Sequence, residues 1–161
     1  MVGLQARVRG LILPLLAALL LILAGLAMWQ EHASAARQDA SRDSLAAATA
    51  AARAIFSYDH KGFDAAVRNG VSFTAGDFTR EYEQTTGALR EAVMSEQAVV
   101  RAEVSAAGVV SASADRVEVL LYVNQFRKNV NIQGEKMDQN RVVLTMVRTS
   151  QGWKVVQAAA I

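Results

Sequence analysis

One short stretch of the chain gathers side chains able to move a proton: Tyr58, Asp59 and His60, three consecutive residues. A carboxylate can act as a general base and a His–Asp pair can hold or pass a proton, so acid–base chemistry would be sought here. Consecutive residues rarely converge on one substrate atom, however. Lys61 and Gly62 follow, and Tyr-Asp-His-Lys-Gly is also the composition of a helix-ending turn, with Gly62 free to take the left-handed conformation. The inward apolar positions of the strands described below supply no further acid or histidine to complete a site. The turn is the reading adopted, and no catalytic residue is assigned.

Other chemistries fail on residue counts. The chain has 2 histidines, His32 and His60, and no cysteine, too few soft or imidazole ligands for a zinc-type centre. Absence of cysteine also excludes disulfides and thiol catalysis. No glycine loop of the phosphate-binding kind and no nucleophile elbow occurs. No metal or cofactor is expected.

What positions these residues begins with an apolar run. From Gly10 to Met28 no charged or polar side chain interrupts the sequence, and Arg7 and Arg9 stand just before it. As a helix it would extend roughly 28 Å, against a hydrocarbon core of about 30 Å. Pro14 falls near the start, where a missing N–H costs little, and Trp29 falls at the far boundary, where an amphipathic ring suits the headgroup layer. The run exceeds the ~7–15 residues of a signal-peptide core, which favours an uncleaved anchor. Small residues at Gly25 and Ala27, or at Ala33 and Ala35, keep cleavage open as the alternative. By the positive-inside rule, residues 1–9 stay cytoplasmic, 10–29 span the cell membrane, and the remainder lies on the extracytoplasmic side.

Beyond the span the charge balances. Of 17 Lys and Arg, two precede the run, so 15 face 15 Asp and Glu in the outer part. Basic residues there are scattered apart from the pair Arg127-Lys128, which argues against a nucleic-acid surface. That pair is either a solvated strand tip or a contact for an acidic partner or anionic headgroups.

The outer part reads as helices followed by strands. An alanine-rich segment from Ala33 to Phe56 carries Leu45, Ala48, Ala52, Ile55 and Phe56 as one apolar stripe, and residues 30–58 form a helical stalk and first helix. The expectation is that the membrane helix continues into it, with a break near His32 to Ser34 as the alternative. Residues 59–161 complete the domain. A short helix runs from Asp64 to about Arg68 and closes at Asn69-Gly70. Thr74-Ala75-Gly76-Asp77 resembles a capping box opening a helix from Ala75 to about Ser95. Period-2 alternation then marks four strands: Val100 to about Val110, Arg116 to about Ile132, Asn140 to Thr149, and Trp153 to about Ala159. Helices and then a meander give an α+β fold with an antiparallel sheet covered on one face.

The order of short elements resembles a known family. Tyr58-Asp59, the helix at Asp64, Thr74-Ala75-Gly76-Asp77-Phe78 with Tyr82, and Ala106 to Ser111 are followed by Asp115-Arg116, Val123-Asn124-Gln125 and Gly152-Trp153-Lys154-Val155. This is similar to the actinobacterial Mce-associated membrane proteins, accessories of mammalian-cell-entry lipid importers. The resemblance implies a cone of about three helices on a curved four-stranded antiparallel sheet, as in nuclear transport factor and ketosteroid isomerase. It further implies a non-catalytic subunit whose partners are the membrane, Mce-type transporter subunits and, in one reading, lipid. Phe126-Arg127-Lys128 departs from the small polar residues expected there. The alternative is a membrane-tethered enzyme or lipid carrier of the same fold. For that reading Phe56, Phe78, Tyr82, Leu120, Tyr122 and Trp153, with Phe63 and Phe73, are candidate lining of a pocket, and otherwise they are core. Trp153 is expected to pack across the sheet against the first helix.

Overall fold

The computed structural model describes residues 34–161 together with Leu21, Ile22, Ala24 and Gln30. The N-terminus expected to be cytoplasmic, nearly all of the apolar run and the junction at His32 lie outside the described residues. Among the described residues no helix is long and apolar enough to cross a membrane. The chain falls into two compact units, Met1–Gln38 and Asp39–Ile161. The second holds the core and the candidate site.

Helix α1 covers residues 34–56. Ala40, Ser44, Ala48, Ala51, Ala52 and Ile55 recur at three- and four-residue spacing and are buried, with Leu45 and Phe56 partly buried beside them. Alanine on this stripe keeps the helix surface low, so its backbone can lie close to what it covers. Ser44 is fully buried, and its hydroxyl donates to the Ser41 carbonyl, which avoids an unsatisfied polar group.

Strand β1 (Tyr58–Asp59) and a 3₁₀ turn (His60–Gly62) lead into α2 (Phe63–Val71) and α3 (Asp77–Ser95). Strands β2 (Val99–Ala112), β3 (Arg116–Lys128), β4 (Lys136–Thr149) and β5 (Gly152–Ala160) follow. The sheet has five strands in the order β1-β2-β3-β4-β5, all antiparallel. The expected count of four is corrected by β1, whose two residues pair with Val100 and Val99. Val117, Val119, Leu121 and Val123 of β3, Leu144 and Met146 of β4 and Val155 of β5 are almost wholly buried on one face. That is the alternation that one covered face requires.

Several local expectations change. Strand β3 ends at Lys128 rather than near Ile132, and β4 begins at Lys136 rather than at Asn140. The α2 helix does not stop at Asn69-Gly70 but continues to Val71, and Gly62 sits at φ −128°, outside the left-handed region. The capping box at Thr74 is not made: α3 starts at Asp77 behind Gly76, whose φ of 64° suits glycine, and no side chain caps it. Thr74 is buried and its hydroxyl contacts the Val71 carbonyl and the Thr79 hydroxyl, both at 2.9 Å. Residues 73–75 instead close the outer edge of β5. Val155 N–H donates to the Phe73 carbonyl at 2.8 Å, and Ala75 N–H donates to the Val155 carbonyl at 2.9 Å.

Candidate functional site

Tyr58, Asp59 and His60 lie where α1 gives way to the sheet, and local structure uses their polar groups. The His60 N–H donates to the Ala98 carbonyl at 3.0 Å. Asp59 Oδ1 accepts the Lys61 N–H at 2.8 Å and caps the 3₁₀ turn. Nδ1 of His60 lies 3.3 Å from the same oxygen, yet it is buried and makes no hydrogen bond. Distance alone would suggest a pair, but the missing alignment leaves only Coulomb attraction when the imidazole is protonated. It is not the aligned N–H···O of an acid–base dyad. Tyr58 and Asp59 border one open hollow that His60 does not line, so the three do not converge on one space.

Tyr58 does face a space. Between the end of α1, helices α2 and α3, and the ends of β3 and β5 lies a chamber of about 350 Å³. Its wall is mainly apolar, built from Ile55, Phe56, Phe63, Val67, Phe78, Tyr82 and Leu89, with Tyr58, Glu81, Thr85 and Gln125 among its polar members. Helices α2 and α3 contribute at helical spacing, through Phe63 and Val67 and through Phe78, Tyr82, Thr85 and Leu89, while α1 contributes its last two residues, Ile55 and Phe56. Neither Asp59 nor His60 is on this wall.

Of the candidate lining, Phe56, Phe63, Phe78 and Tyr82 are here. Trp153 is not; it is buried in the core with the Arg148 guanidinium 5.9 Å from its ring centroid, and Phe73 packs against the same core. Leu120 and Tyr122 alternate with the buried β3 residues and so lie on the other face, Leu120 partly buried and Tyr122 45% exposed. Strand β3 is apolar on both faces, whereas helices cover only one, so apolar character alone does not separate these two residues from the lining. Val67, Leu89 and Gln125 escape the sequence reading. Val67 and Leu89 repeat the helical spacing of known wall residues, and Gln125 continues the alternation of Val117, Val119, Leu121 and Val123 on the covered face of β3, so each carries a usable signal.

Tyr82 fixes the back of the chamber. Its hydroxyl donates to the Ile55 carbonyl at 3.4 Å, joining α3 to the end of α1, and burial pushes the phenol above its ordinary pKa. Tyr58 stands edge-on to Phe63, with centroids 5.8 Å apart and planes at 83°. Burial raises its pKa most; nearby Arg127 opposes the rise and Glu96 adds to it.

A second recess, polar and about 460 Å³, adjoins the first and shares Tyr58 and Gln125 with it. Gln125 Oε1 accepts from Asn140 Nδ2 at 2.8 Å. Arg127 pairs with Asp138 at 2.5 Å, and Lys128 with Glu135 at 3.5 Å. The Arg127-Lys128 pair is thus compensated within its own strands and connection rather than presented as bare positive charge. Among the described residues no cluster of three His, Cys, Asp or Glu could hold a metal ion.

Solved structures of secretion-system proteins share this fold. The chain overlays an IcmL-like type IV secretion system protein of Legionella pneumophila with a TM-score of 0.62 at 18% identity, covering 73% of this chain and 90% of that one. It overlays CagV of Helicobacter pylori, a VirB8 homolog, with a TM-score of 0.60 at 10% identity, covering 74% and 96%. At such identities the likeness concerns the fold alone. No protein-family model matches the sequence. The particular relationship comes from sequence: over 115 residues, 71% of this chain and 72% of the relative, it is 36% identical to the outer membrane protein Rv1973 of Mycobacterium tuberculosis. The chain belongs to the family of that mycobacterial protein.

Proposed function

We propose that this chain is a non-catalytic accessory subunit of an Mce-type lipid import complex, held in the cell envelope by its N-terminal span with the α+β domain on the extracytoplasmic side. The observation that carries the envelope part is the family shared with a protein named for the outer membrane. The Mce part rests on the order of sequence elements from Tyr58-Asp59 to Gly152–Val155. The reading without catalysis is supported by the polar cluster: Asp59 caps a turn, His60 lies beside it without alignment, and neither is on the chamber wall.

Deletion in the native host tests the reading. An unpartnered membrane subunit is exposed to degradation, so loss of this chain should lower the Mce subunits several-fold and lipid uptake with them. The full chain should restore both, as should Asp59→Asn and His60→Ala. Release of the domain from the membrane should restore poorly, because tethering supplies the local concentration. Unchanged Mce subunits and uptake after deletion would overturn the proposal. Loss of uptake at normal subunit levels in either point variant would replace it with an enzyme or carrier.

A further inference from the structure

The two recesses differ in chemistry and meet at shared residues. The chamber walled by Phe56, Phe63, Val67 and Phe78 is apolar and, at the ~30 Å³ a water occupies in the liquid, admits on the order of ten non-hydrogen atoms. The adjoining recess offers Gln139, Asn140 and the paired Arg127 and Asp138. Tyr58 and Gln125 belong to both. An apolar pocket with a few polar groups at one end is the usual form of a small-molecule site. We propose that the two recesses are one binding site for a single-chain amphiphile, its apolar body in the chamber and its polar head in the recess.

Charge selects the head. Arg127 is neutralised by Asp138, and the remaining groups are amides and a phenol, which suit hydroxyls and carbonyls. Within the recess the cation, Arg127, is already paired with Asp138, so a carboxylate head would enter without an unpaired positive partner and beside an existing carboxylate. An uncharged head of the monoacylglycerol kind fits, and a fatty-acid anion does not. Gln125 is suited to the junction: its Oε1 is held by Asn140, which leaves its amide N–H groups as donors. This site goes beyond the assembly role proposed above, and it stands or falls independently of any Mce partner.

The test uses the full chain in phosphatidylcholine nanodiscs with a monodecanoylglycerol bearing a diazirine near the chain terminus. Irradiation followed by peptide mass spectrometry should place label on the segments that carry Phe56, Val67 and Leu89. Unlabelled monodecanoylglycerol should compete, and decanoate should do so about tenfold less well, the equivalent of one unpaired or repelled polar group. Val67→Phe should fill the chamber, and Leu89→Glu, at an already exposed position, should charge its wall; each should cut labelling about tenfold. Because Leu89→Glu changes a surface residue, it guards against misfolding of the first variant. Tyr58→Phe should weaken competition by the glycerol ester and leave decanoate unchanged. Label confined to the N-terminal apolar run, or label indifferent to both wall variants, would overturn the site. Equal competition by decanoate would overturn the choice of head.

Discussion

Gly70 shows how closely one residue can set the geometry of the site. A Cβ built there would lie 2.2 Å from the Tyr82 hydroxyl and 2.6 Å from its Cζ, so α2 and α3 approach as they do only because this position has no side chain. Tyr82 in turn reaches the Ile55 carbonyl, which ties three helices at the back of the chamber. Gly70→Ala should therefore destabilise the domain by about 1–3 kcal/mol through overpacking, despite alanine's better helix propensity. Tyr82→Leu alone should also destabilise, but the double variant should cost less than the sum, because the clash goes with the ring. Chemical denaturation of the four proteins measures this; strict additivity would show that the two side chains do not meet. In the sequence Gly70 reads as a helix stop because Asn-Gly commonly is one. Its actual role depends on a residue in the next helix, and local pattern carries no such information.

At the scale of elements, α3 ends in a way that invites improvement. The Gln97 N–H bonds the Met94 carbonyl at 3.3 Å and the Ala98 N–H bonds the Val93 carbonyl at 2.9 Å, a Schellman closure with Gln97 at φ 51°. A non-glycine residue there costs on the order of 1 kcal/mol relative to glycine, offset in part by the greater unfolded-state entropy of glycine. Gln97→Gly should stabilise by about 0.5–1 kcal/mol, and a lower denaturation midpoint would contradict the local strain. The main strands and helices were legible because one covered face imposes alternation on β3 and a stripe on α1. Strand β1 was not, since two residues show no period and their partners, Val99 and Val100, lie beyond two helices. The false capping box at Thr74 failed for a similar reason: the α2–α3 connection is fixed by backbone pairing to Val155, a partner at the far end of the chain. The chamber was half legible: its aromatic residues showed by helical spacing, and Gln125 by the period-2 alternation of β3, but the polarity of Gln125 hid it among apolar neighbours.

The whole domain is a sheet with two unlike edges. Residues 73–75 close β5, while β2 is closed only near Val99 and Val100, with Ser57 Oγ accepting the Ala102 N–H at 2.9 Å. Register shifts between Val104 and Ala106 and between Val109 and Ser111 break up the remaining edge, a device that discourages pairing with other strands. How this domain is presented depends on the run from Gly10 to Met28. Arg7 and Arg9 on one side, with no Lys or Arg until Arg37 on the other, favour an extracytoplasmic domain. Ala114 lies in the exposed connection between β2 and β3, and the chain has no cysteine of its own, so Ala114→Cys gives a single reporter. In intact cells it should react with a membrane-impermeant maleimide as fast as a known extracytoplasmic thiol. Reaction only after lysis would put the domain in the cytoplasm. That result would remove the envelope assembly role while leaving the amphiphile site, which depends on the domain alone, to be judged by its own experiment.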